Sequence, residues 1–377
     1  MTNRLVALDL PGGPAFVATL RRVWDDGDAV LPIDQRLPTP ARRALLGAMA
    51  PDAIIGPDGT EHRRAKGRPT QPGDALVVAT SGSTGEPKGV VLTHDALRAS
   101  ARATNARIGA TTSDHWLACL PLAHIGGLSV VVRALHAGQS LTVLAGFDAD
   151  AVNRSGATLV SLVGTALARI EPRRFRTIVI GGSQPPADLP PNVVTTYGMT
   201  ESGSGVVYDG VPLDGVEIRV ADDGEIHVRG AMLLRAYRDG RDPKIDGWYR
   251  TGDIGRWLPD GRLHVDGRAG DMIVTGGEKV WPEPVEAVLR RVVGVADVVV
   301  TGRPDPTWGQ AVTALVVPDP SGPPTLDALR AAVKRQLAPY CAPRAFVLVE
   351  AIPRSTLGKP KRAELRRHVA PRPSFEP

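Results

Sequence analysis

Short apolar runs that end in loops rich in glycine, serine and threonine recur through the first half of the chain. They lie at 74–80 ("DALVVAT"), 176–182 ("RTIVIGG") and 192–202 ("NVVTTYGMTES"). Runs of this length predict buried strands, and the amphipathic stretch at 93–109 predicts a helix with Thr93 as its N-cap. Alternating strands and helices are typical of a mostly parallel α/β sheet, which binds ligands at the carboxyl ends of its strands.

The pattern changes in the second half of the chain. From 213 to 266, short strands of alternating polarity are separated by DG turns, which predicts a small antiparallel β subdomain. Residues 271–377 contain their own strands and amphipathic helices and predict a separate α+β module. A chain of 377 residues also exceeds the size that one hydrophobic core usually supports, so we expect two domains.

Composition and charge exclude several classes of protein. With 42% hydrophobic and 23% charged residues, the chain has an ordinary globular composition, and its formal charge is only +5. No basic run with interleaved aromatic residues indicates nucleic-acid binding. Cys119 and Cys341 have no metal-ligand spacing and suggest a reducing compartment. The amino terminus lacks a signal-peptide pattern, and Arg133 interrupts the longest apolar stretch, so we expect a cytoplasmic protein without membrane insertion.

The stretch "TSGSTGEPKG" (80–89) has the composition of a phosphate-binding loop. It is not a P-loop, because Lys88 follows proline and Gly89 stands where that motif needs serine or threonine. An unstructured linker is disfavoured, since proline and lysine lie between two well-patterned elements. A strand, this loop and the helix at 93–109 in succession predict a flexible clamp on the β- and γ-phosphates. Its candidate ligands are Thr80, Ser81, Ser83, Thr84, Gly85 and Lys88.

Four further motifs follow in a fixed order. They are "YGMTES" (197–202), "YRTGD" (249–253), "GRAGDMIVTGGEKVWPEPVE" (267–286) and "PRSTLGKPKR" (353–362). With the first loop, they make the chain resemble the adenylate-forming superfamily of acyl-CoA synthetases, luciferases and peptide-synthetase adenylation domains, from about residue 5 to 368. The resemblance implies that ATP activates a carboxylate as an acyl-adenylate and that the acyl group then passes to a thiol. The implied cofactor is Mg²⁺, and coenzyme A is the implied co-substrate.

The resemblance also implies roles for individual residues. Lys359 matches the catalytic lysine that bridges the substrate carboxylate and the α-phosphate, Glu201 matches the Mg²⁺ ligand, and Thr200 matches an α-phosphate contact. Asp253 and Arg268 match the ribose contacts. The remaining residues implied to line the adenine site are Gly181, Gly182, Ser183, Tyr197 and Gly198.

A mobile carboxyl-terminal domain is the next implication. Relatives rotate this domain about a hinge between the adenylating and thiolating states, which here implies domains at 1–267 and 271–377 and a hinge at 268–270. Glycine at position 270 departs from the charged or polar residue usual there. Gly276, Gly277 and Lys279 are implied to face coenzyme A after rotation.

The shortened amino terminus, "PLAHIGGLS" and "YDGVPLDGVEIRV" resemble the 2-succinylbenzoate–CoA ligases of menaquinone biosynthesis. The implied substrate carries a second carboxylate, so its pocket needs a cation or a hydrogen-bond donor. Candidates for the acyl pocket are His124, Ser202, Gly203 and Ser204. Arg133 is a weaker candidate, for which we expect a solvated side chain or a salt bridge between elements.

Three alternatives stay open. An amino-acid-activating domain would carry an aspartate near "PLAHIGG", and none is present there. Another aromatic or medium-chain acyl-CoA ligase would share every motif above. A catalytically inactive nucleotide-binding regulator would not need Lys88, Glu201, Asp253, Arg268 and Lys359 together. A homodimer is a further hypothesis that the sequence does not decide.

Replacing Lys359 tests the assigned chemistry. We expect Lys359→Ala to lower the rate of acyl-adenylate formation by roughly two to three orders of magnitude, because one preorganised charge is lost where negative charge develops. Thioester formation from synthetic acyl-adenylate should be retained. Equal damage to the two half-reactions, measured separately, would contradict the assignment.

Overall fold

The computed structural model describes residues 3–81, 87–182, 185, 188–320, 322–354, 360–362 and 364–365. The strands, in chain order, are β1 (Leu5–Leu8), β2 (Ala29–Pro32), β3 (Ala53–Ile55), β4 (Glu61–Arg63), β5 (Asp74–Ser81), β6 (Pro87–Thr93), β7 (His115–Ala118), β8 (Ser140–Val143), β9 (Leu159–Val163), β10 (Thr177–Gly181), β11 (Val193–Met199), β12 (Ser204–Tyr208), β13 (Val211–Pro212), β14 (Val216–Val220), β15 (Glu225–Gly230), β16 (Ala236–Tyr237), β17 (Lys244–Ile245), β18 (Trp248–Trp257), β19 (Leu263–Arg268), β20 (Ile273–Thr275), β21 (Glu278–Val280), β22 (Val295–Asp305), β23 (Gly309–Pro318) and β24 (Ala345–Leu348). The α-helices are α1 (Pro14–Asp25), α2 (Thr39–Met49), α3 (His94–Arg107), α4 (Ile125–Ala137), α5 (Ala149–Arg154), α6 (Gly164–Leu167), α7 (Pro282–Leu289) and α8 (Leu326–Gln336).

Two seven-stranded sheets confirm the predicted mixed α/β class. The first has the order β16-β6-β5-β2-β1-β3-β4, and the second has the order β13-β12-β11-β10-β9-β7-β8. Strands β7 to β11 pair in parallel, whereas β12 and β13 add antiparallel edges. The parallel strands are apolar because helices and loops cover them, and their residues form one buried cluster with α5 and α6.

One expectation about the phosphate loop, that the helix follows it directly, is wrong. The loop is followed by a strand rather than by the helix, because the apolar run Val90–Leu92 is buried as part of β6. Strand β6 pairs antiparallel with β5, and Thr80 lies opposite Lys88. Helix α3 begins only after β6, where the Thr93 side chain accepts a hydrogen bond from the Ala96 amide at 3.1 Å, as predicted for an N-cap.

By its contacts the chain divides into two compact units. The first contains Met1–Arg219, His227–Arg250 and Trp257–Leu263; the second contains Val220–Ile226, Thr251–Arg256 and His264–Pro377. The second unit includes a sheet of order β21-β20-β23-β22, with β24 beside β23, and its core includes residues of α7 and α8. A further sheet has the order β14-β15-β18-β17, with β19 beside β18. None of the helices among the described residues combines the length and the apolar character that crossing a membrane requires.

A buried arginine anchors the edge of the first sheet. Arg238 directly follows β16, is 8% exposed, and donates to the carbonyl oxygens of Met49, Ala50, Arg68 and Pro69. Burial, and after it the charge of Arg68, lowers the pKa of Arg238 to about 10. The guanidinium group therefore joins β16 to the carboxyl end of α2 and to the stretch that follows β4.

Arg238→Met should destabilise the protein because it leaves buried carbonyl groups without their donor. We expect the free energy of unfolding to fall by about 3 kcal/mol, measured as a shift of the urea midpoint. Arg98→Met is the matched control, since Arg98 is exposed on α3 and pairs with the exposed Asp95. Its effect should stay within about 0.5 kcal/mol. Equal effects of the two substitutions would contradict the anchoring role.

Candidate active site

Lys88 lies on β6 with its side chain half-buried. Its ammonium nitrogen is 3.9 Å from the centroid of the Tyr237 ring, and the Thr80 hydroxyl donates to the Lys88 carbonyl oxygen at 3.4 Å. Strand pairing thus places the predicted phosphate-binding lysine against an aromatic face. The side chain of Ser81, and the predicted ligands Ser83, Thr84 and Gly85, lie outside the described residues.

Glu201 belongs to a short 3-10 turn, Thr200–Ser202, at the end of β11. Its half-buried carboxylate accepts a hydrogen bond from the Tyr237 hydroxyl at 3.1 Å, and its carbonyl oxygen accepts one from the Leu234 amide at 2.7 Å. Thr200 is half-buried in the same turn. The two residues predicted for metal and α-phosphate contacts are therefore adjacent at a strand end.

The donor set suits Mg²⁺ held largely by substrate phosphates. Among the described residues, no group of three or more histidine, cysteine or acidic side chains could hold a metal by itself. Mg²⁺ commonly binds through one or two carboxylates while phosphate oxygens and water complete its shell. Glu201 supplies one such carboxylate.

Two tyrosines form a hydrogen-bonded chain with Glu201. The hydroxyls of Tyr237 and Tyr249 are 3.2 Å apart. Burial, together with the charge of Glu201, raises the pKa of Tyr237 to about 12 and also raises that of Tyr249. Both hydroxyls are consequently protonated at neutral pH and can donate.

Glycine is required at two positions predicted for the adenine wall. A Cβ on Gly181, at the end of β10, would lie 2.6 Å from the Thr196 hydroxyl oxygen. A Cβ on Gly198 would lie 2.5 Å from the Gly205 Cα, because β11 and β12 approach closely at a register shift there. Gly182 directly follows β10 and Tyr197 lies on β11, whereas Ser183 falls outside the described residues.

The predicted ribose contacts meet within the second unit. The Arg268 Nε is 2.9 Å from the Asp253 carboxylate, and its Nη1 donates to the Thr251 carbonyl oxygen at 2.9 Å. Asp253 is buried, and its backbone amide donates a hydrogen bond to the Thr251 hydroxyl oxygen at 3.0 Å. The carboxylate is thus held in one place by a local turn and by a paired guanidinium group.

The predicted acyl-pocket residues have different surroundings. His124 precedes α4, and its Nε2 lies 3.4 Å from an Asp34 carboxylate oxygen; burial lowers the pKa of His124, although Asp34 raises it. The buried Ser202 hydroxyl bonds within its own turn, to Met199 and to the Ser204 carbonyl oxygen. Gly203 ends that turn with a positive φ of 66°.

Arg133 does not form the salt bridge that we expected. It is 3% exposed on α4 and donates to the hydroxyls of Ser161, at 3.2 Å, and Ser204. Its Nε is buried without a hydrogen-bond partner, and in the described part of the chain no carboxylate pairs with it. Its guanidinium carbon lies 5.5 Å from the centroid of the Trp116 ring. This is a buried positive charge compensated only by neutral groups.

The predicted coenzyme A contacts lie in the second unit. Gly276 and Gly277 form the two-residue turn between β20 and β21, both with positive φ, and Lys279 is exposed on β21. The Gly276 amide donates to the Trp308 carbonyl oxygen at 2.9 Å. Their contact with coenzyme A stays a prediction. The catalytic candidate Lys359 lies outside the described residues.

Comparison with known proteins decides the family. The model of the AMP-binding enzyme family matches residues 57–238, and that of the AMP-binding enzyme C-terminal domain matches residues 284–359. A probable 2-succinylbenzoate–CoA ligase of Mycobacterium tuberculosis is 42% identical, over 97% of this chain and 98% of the relative. This chain belongs to the AMP-binding enzyme family.

Solved structures of this family share the fold. The o-succinylbenzoate CoA synthetase of Bacillus subtilis, in complex with the acyl-adenylate intermediate OSB-AMP, has a TM-score of 0.86 and 27% identity, covering 97% of this chain and 88% of that one. The same enzyme in complex with ATP and magnesium ion has a TM-score of 0.85 and 26% identity, covering 97% and 90%. The family resemblance drawn from the motifs is confirmed.

We did not predict Tyr237 and Tyr249 as site residues from the sequence, and we took Arg133 as a weaker candidate. Tyr249 begins the motif "YRTGD", but Tyr237 stands in no motif that we singled out. Arg133 lies among apolar residues in "GGLSVVVRAL", and a charge on an otherwise apolar helix was the available signal.

Proposed function

We propose that this chain is an ATP-dependent acid–CoA ligase that converts 2-succinylbenzoate, ATP and coenzyme A into 2-succinylbenzoyl-CoA, AMP and diphosphate, in menaquinone biosynthesis. The reaction passes through an acyl-adenylate. The family membership and the 42% identity to a probable ligase of this specificity support the reaction. The related structure with OSB-AMP supports the intermediate.

Arg133 is the observation that carries the choice of acid. A buried cation without an anionic partner is costly, and a substrate carboxylate offsets that cost. 2-Succinylbenzoate has one carboxylate for activation and a second on its ring, whereas a simple fatty acid has only the first. We assign Arg133 and its hydrogen-bonded neighbour Ser204 to the ring carboxylate.

The other assigned residues contact ATP or the Mg²⁺ bound to it. Lys88 contacts the leaving pyrophosphate, Asp253 and Arg268 hold the ribose, and Lys359 bridges the reacting groups. Glu201 would hold Mg²⁺, which neutralises phosphate charge when bound. Both reactants are anions, so preorganised positive charge is the main source of rate enhancement.

Rotation of a carboxyl-terminal domain about residues 268–270 is part of the proposal. It would bring Gly276, Gly277 and Lys279 to coenzyme A for the second half-reaction. A cytoplasmic location and a homodimer stay predictions.

Pyrophosphate release followed by coenzyme A consumption tests the function. With 2-succinylbenzoate, substituted benzoates and fatty acids assayed in parallel, we expect 2-succinylbenzoate to give the highest kcat/KM. A higher value for another acid would favour a different acyl-CoA ligase. No release with any acid would favour the inactive regulator.

Arg133→Met tests the ring-carboxylate contact. We expect wild type to prefer 2-succinylbenzoate over 3-benzoylpropionate, which lacks only that carboxylate, and the variant to lose the preference. A lost charge-assisted hydrogen bond predicts a fall in kcat/KM of about tenfold to a hundredfold for 2-succinylbenzoate alone.

The matched control is Arg107→Met. Arg107 is a half-buried arginine on α3 that donates to the carbonyl oxygens of Tyr208 and Pro212. This control should leave the preference between the two acids unchanged. An equal loss for both acids in Arg133→Met would show a purely structural role for Arg133.

A further inference from the structure

The segment around β16 contacts two of the charged residues assigned to ATP and its metal, Lys88 and Glu201. Strand β16 pairs antiparallel with β6, with Tyr237 opposite Val90. The amide of Arg238 donates to the Gly89 carbonyl oxygen at 2.7 Å, next to Lys88. At the other end, the Leu234 amide donates to the Glu201 carbonyl oxygen. One short segment therefore joins the backbone beside Lys88 to the turn that carries Glu201.

Tyr237 makes the corresponding side-chain contacts. Its ring lies under the Lys88 ammonium nitrogen, 3.9 Å from centroid to nitrogen, and its hydroxyl donates to the Glu201 carboxylate at 3.1 Å. The side chain is 5% exposed, so both contacts are largely shielded from water. A single neutral residue thus contacts a cation and an anion in different ways.

The Tyr237 hydroxyl donates in one direction only. A tyrosine hydroxyl carries one hydrogen, and Tyr237 gives it to Glu201, because a carboxylate can only accept. Tyr249, whose hydroxyl is 3.2 Å from that of Tyr237, also hydrogen-bonds Glu201, so its own hydrogen goes to Tyr237 or to Glu201. Two neutral hydroxyl donors orient the carboxylate and leave its negative charge in place. An arginine or a lysine at this position would neutralise that charge.

We propose that Tyr237 is a positioning residue for the metal-bound nucleotide: its hydroxyl orients the Glu201 carboxylate toward Mg²⁺, and its ring orients Lys88 toward the phosphates. This inference rests on the proposed function in one respect, namely that Glu201 binds Mg²⁺ and Lys88 binds ATP. In this proposal Tyr237 itself touches neither the nucleotide nor the metal. It acts through Lys88, which binds the nucleotide, and through Glu201, which binds the metal.

Tyr237→Phe isolates the hydroxyl because the ring under Lys88 is kept. Calorimetry of ATP binding, without acid or coenzyme A, is run once with Mg²⁺ and once with EDTA. We expect Kd for ATP to rise about tenfold to a hundredfold with Mg²⁺ and to change less than about twofold with EDTA. In turnover assays the Mg²⁺ concentration for half-maximal pyrophosphate release should rise as well.

Tyr208→Phe is the matched control. The Tyr208 hydroxyl is also fully buried and bonds a neutral partner, the Thr104 hydroxyl, at 3.1 Å. We expect Tyr208→Phe to lower the free energy of unfolding about as much as Tyr237→Phe does. The Kd for ATP should stay unchanged both with Mg²⁺ and with EDTA. If Tyr237→Phe behaves like this control, or weakens binding equally with Mg²⁺ and with EDTA, the proposal is overturned.

Tyr237→Leu then removes the ring. We expect a further increase in Kd of about twofold to thirtyfold that appears with EDTA as well, since the contact to Lys88 does not depend on the metal. If Tyr237→Leu matches Tyr237→Phe under both conditions, the ring has no positioning role for Lys88.

A double-mutant cycle tests the link to Glu201. In a Glu201→Gln background, Tyr237→Phe should add no further Mg²⁺-dependent loss, and fully additive effects would contradict the proposal. The proposal would also be overturned if wild-type protein bound ATP with the same Kd in Mg²⁺ and in EDTA. A protein that binds Mg²⁺ and ATP as expected but activates no acid would overturn only the proposed function.

Discussion

Burial of positive charge is the constraint on which the rest of this structure depends. A guanidinium group loses its hydration on burial, so it persists only where carbonyls, hydroxyls or an anion replace the water. Arg238 meets this requirement with backbone carbonyls from two stretches of the chain, at 49–50 and 68–69, and therefore fixes the edge of the first sheet. Among the described residues, Arg133 meets it with two serine hydroxyls and the ring of Trp116.

These two arginines differ in role: Arg238 supports the fold, whereas we assign Arg133 to substrate binding. Saturated hydrogen bonding, as at Arg238, leaves nothing for a ligand. Incomplete compensation, as at Arg133 with its unpartnered Nε, favours the binding of an anion. A dicarboxylate substrate would provide one, so our proposal for the acid rests on this buried side chain and not on the fold alone.

The phosphate loop illustrates how topology assigns a role to a lysine. In a P-loop the lysine begins a helix, and the helix amides share the phosphate charge. Here Lys88 lies on a strand of a hairpin, against the ring of Tyr237. Lys88 is contacted by the neighbouring strand β16 through Tyr237, and under our proposal this edge of the sheet orients the lysine.

Local patterns allowed much of the fold to be predicted. The helix cap at Thr93, the strands that end at Gly181 and Met199, and the second α+β module follow from periodicity and turn residues, which act over a few positions. The strand β6 was missed because its first three residues belong to the glycine-rich stretch 80–89, which has the composition of a loop.

The sequence by itself determined the family, the fold class and the residues of its motifs, because these depend on local order along the chain. Only the tertiary structure decided what those residues contact. Tyr237 reaches Glu201 across 36 positions, and Arg133 reaches Ser204 across 71. Such contacts depend on how strands pair and on which side chains lose water, and neither is encoded in the spacing of the residues involved.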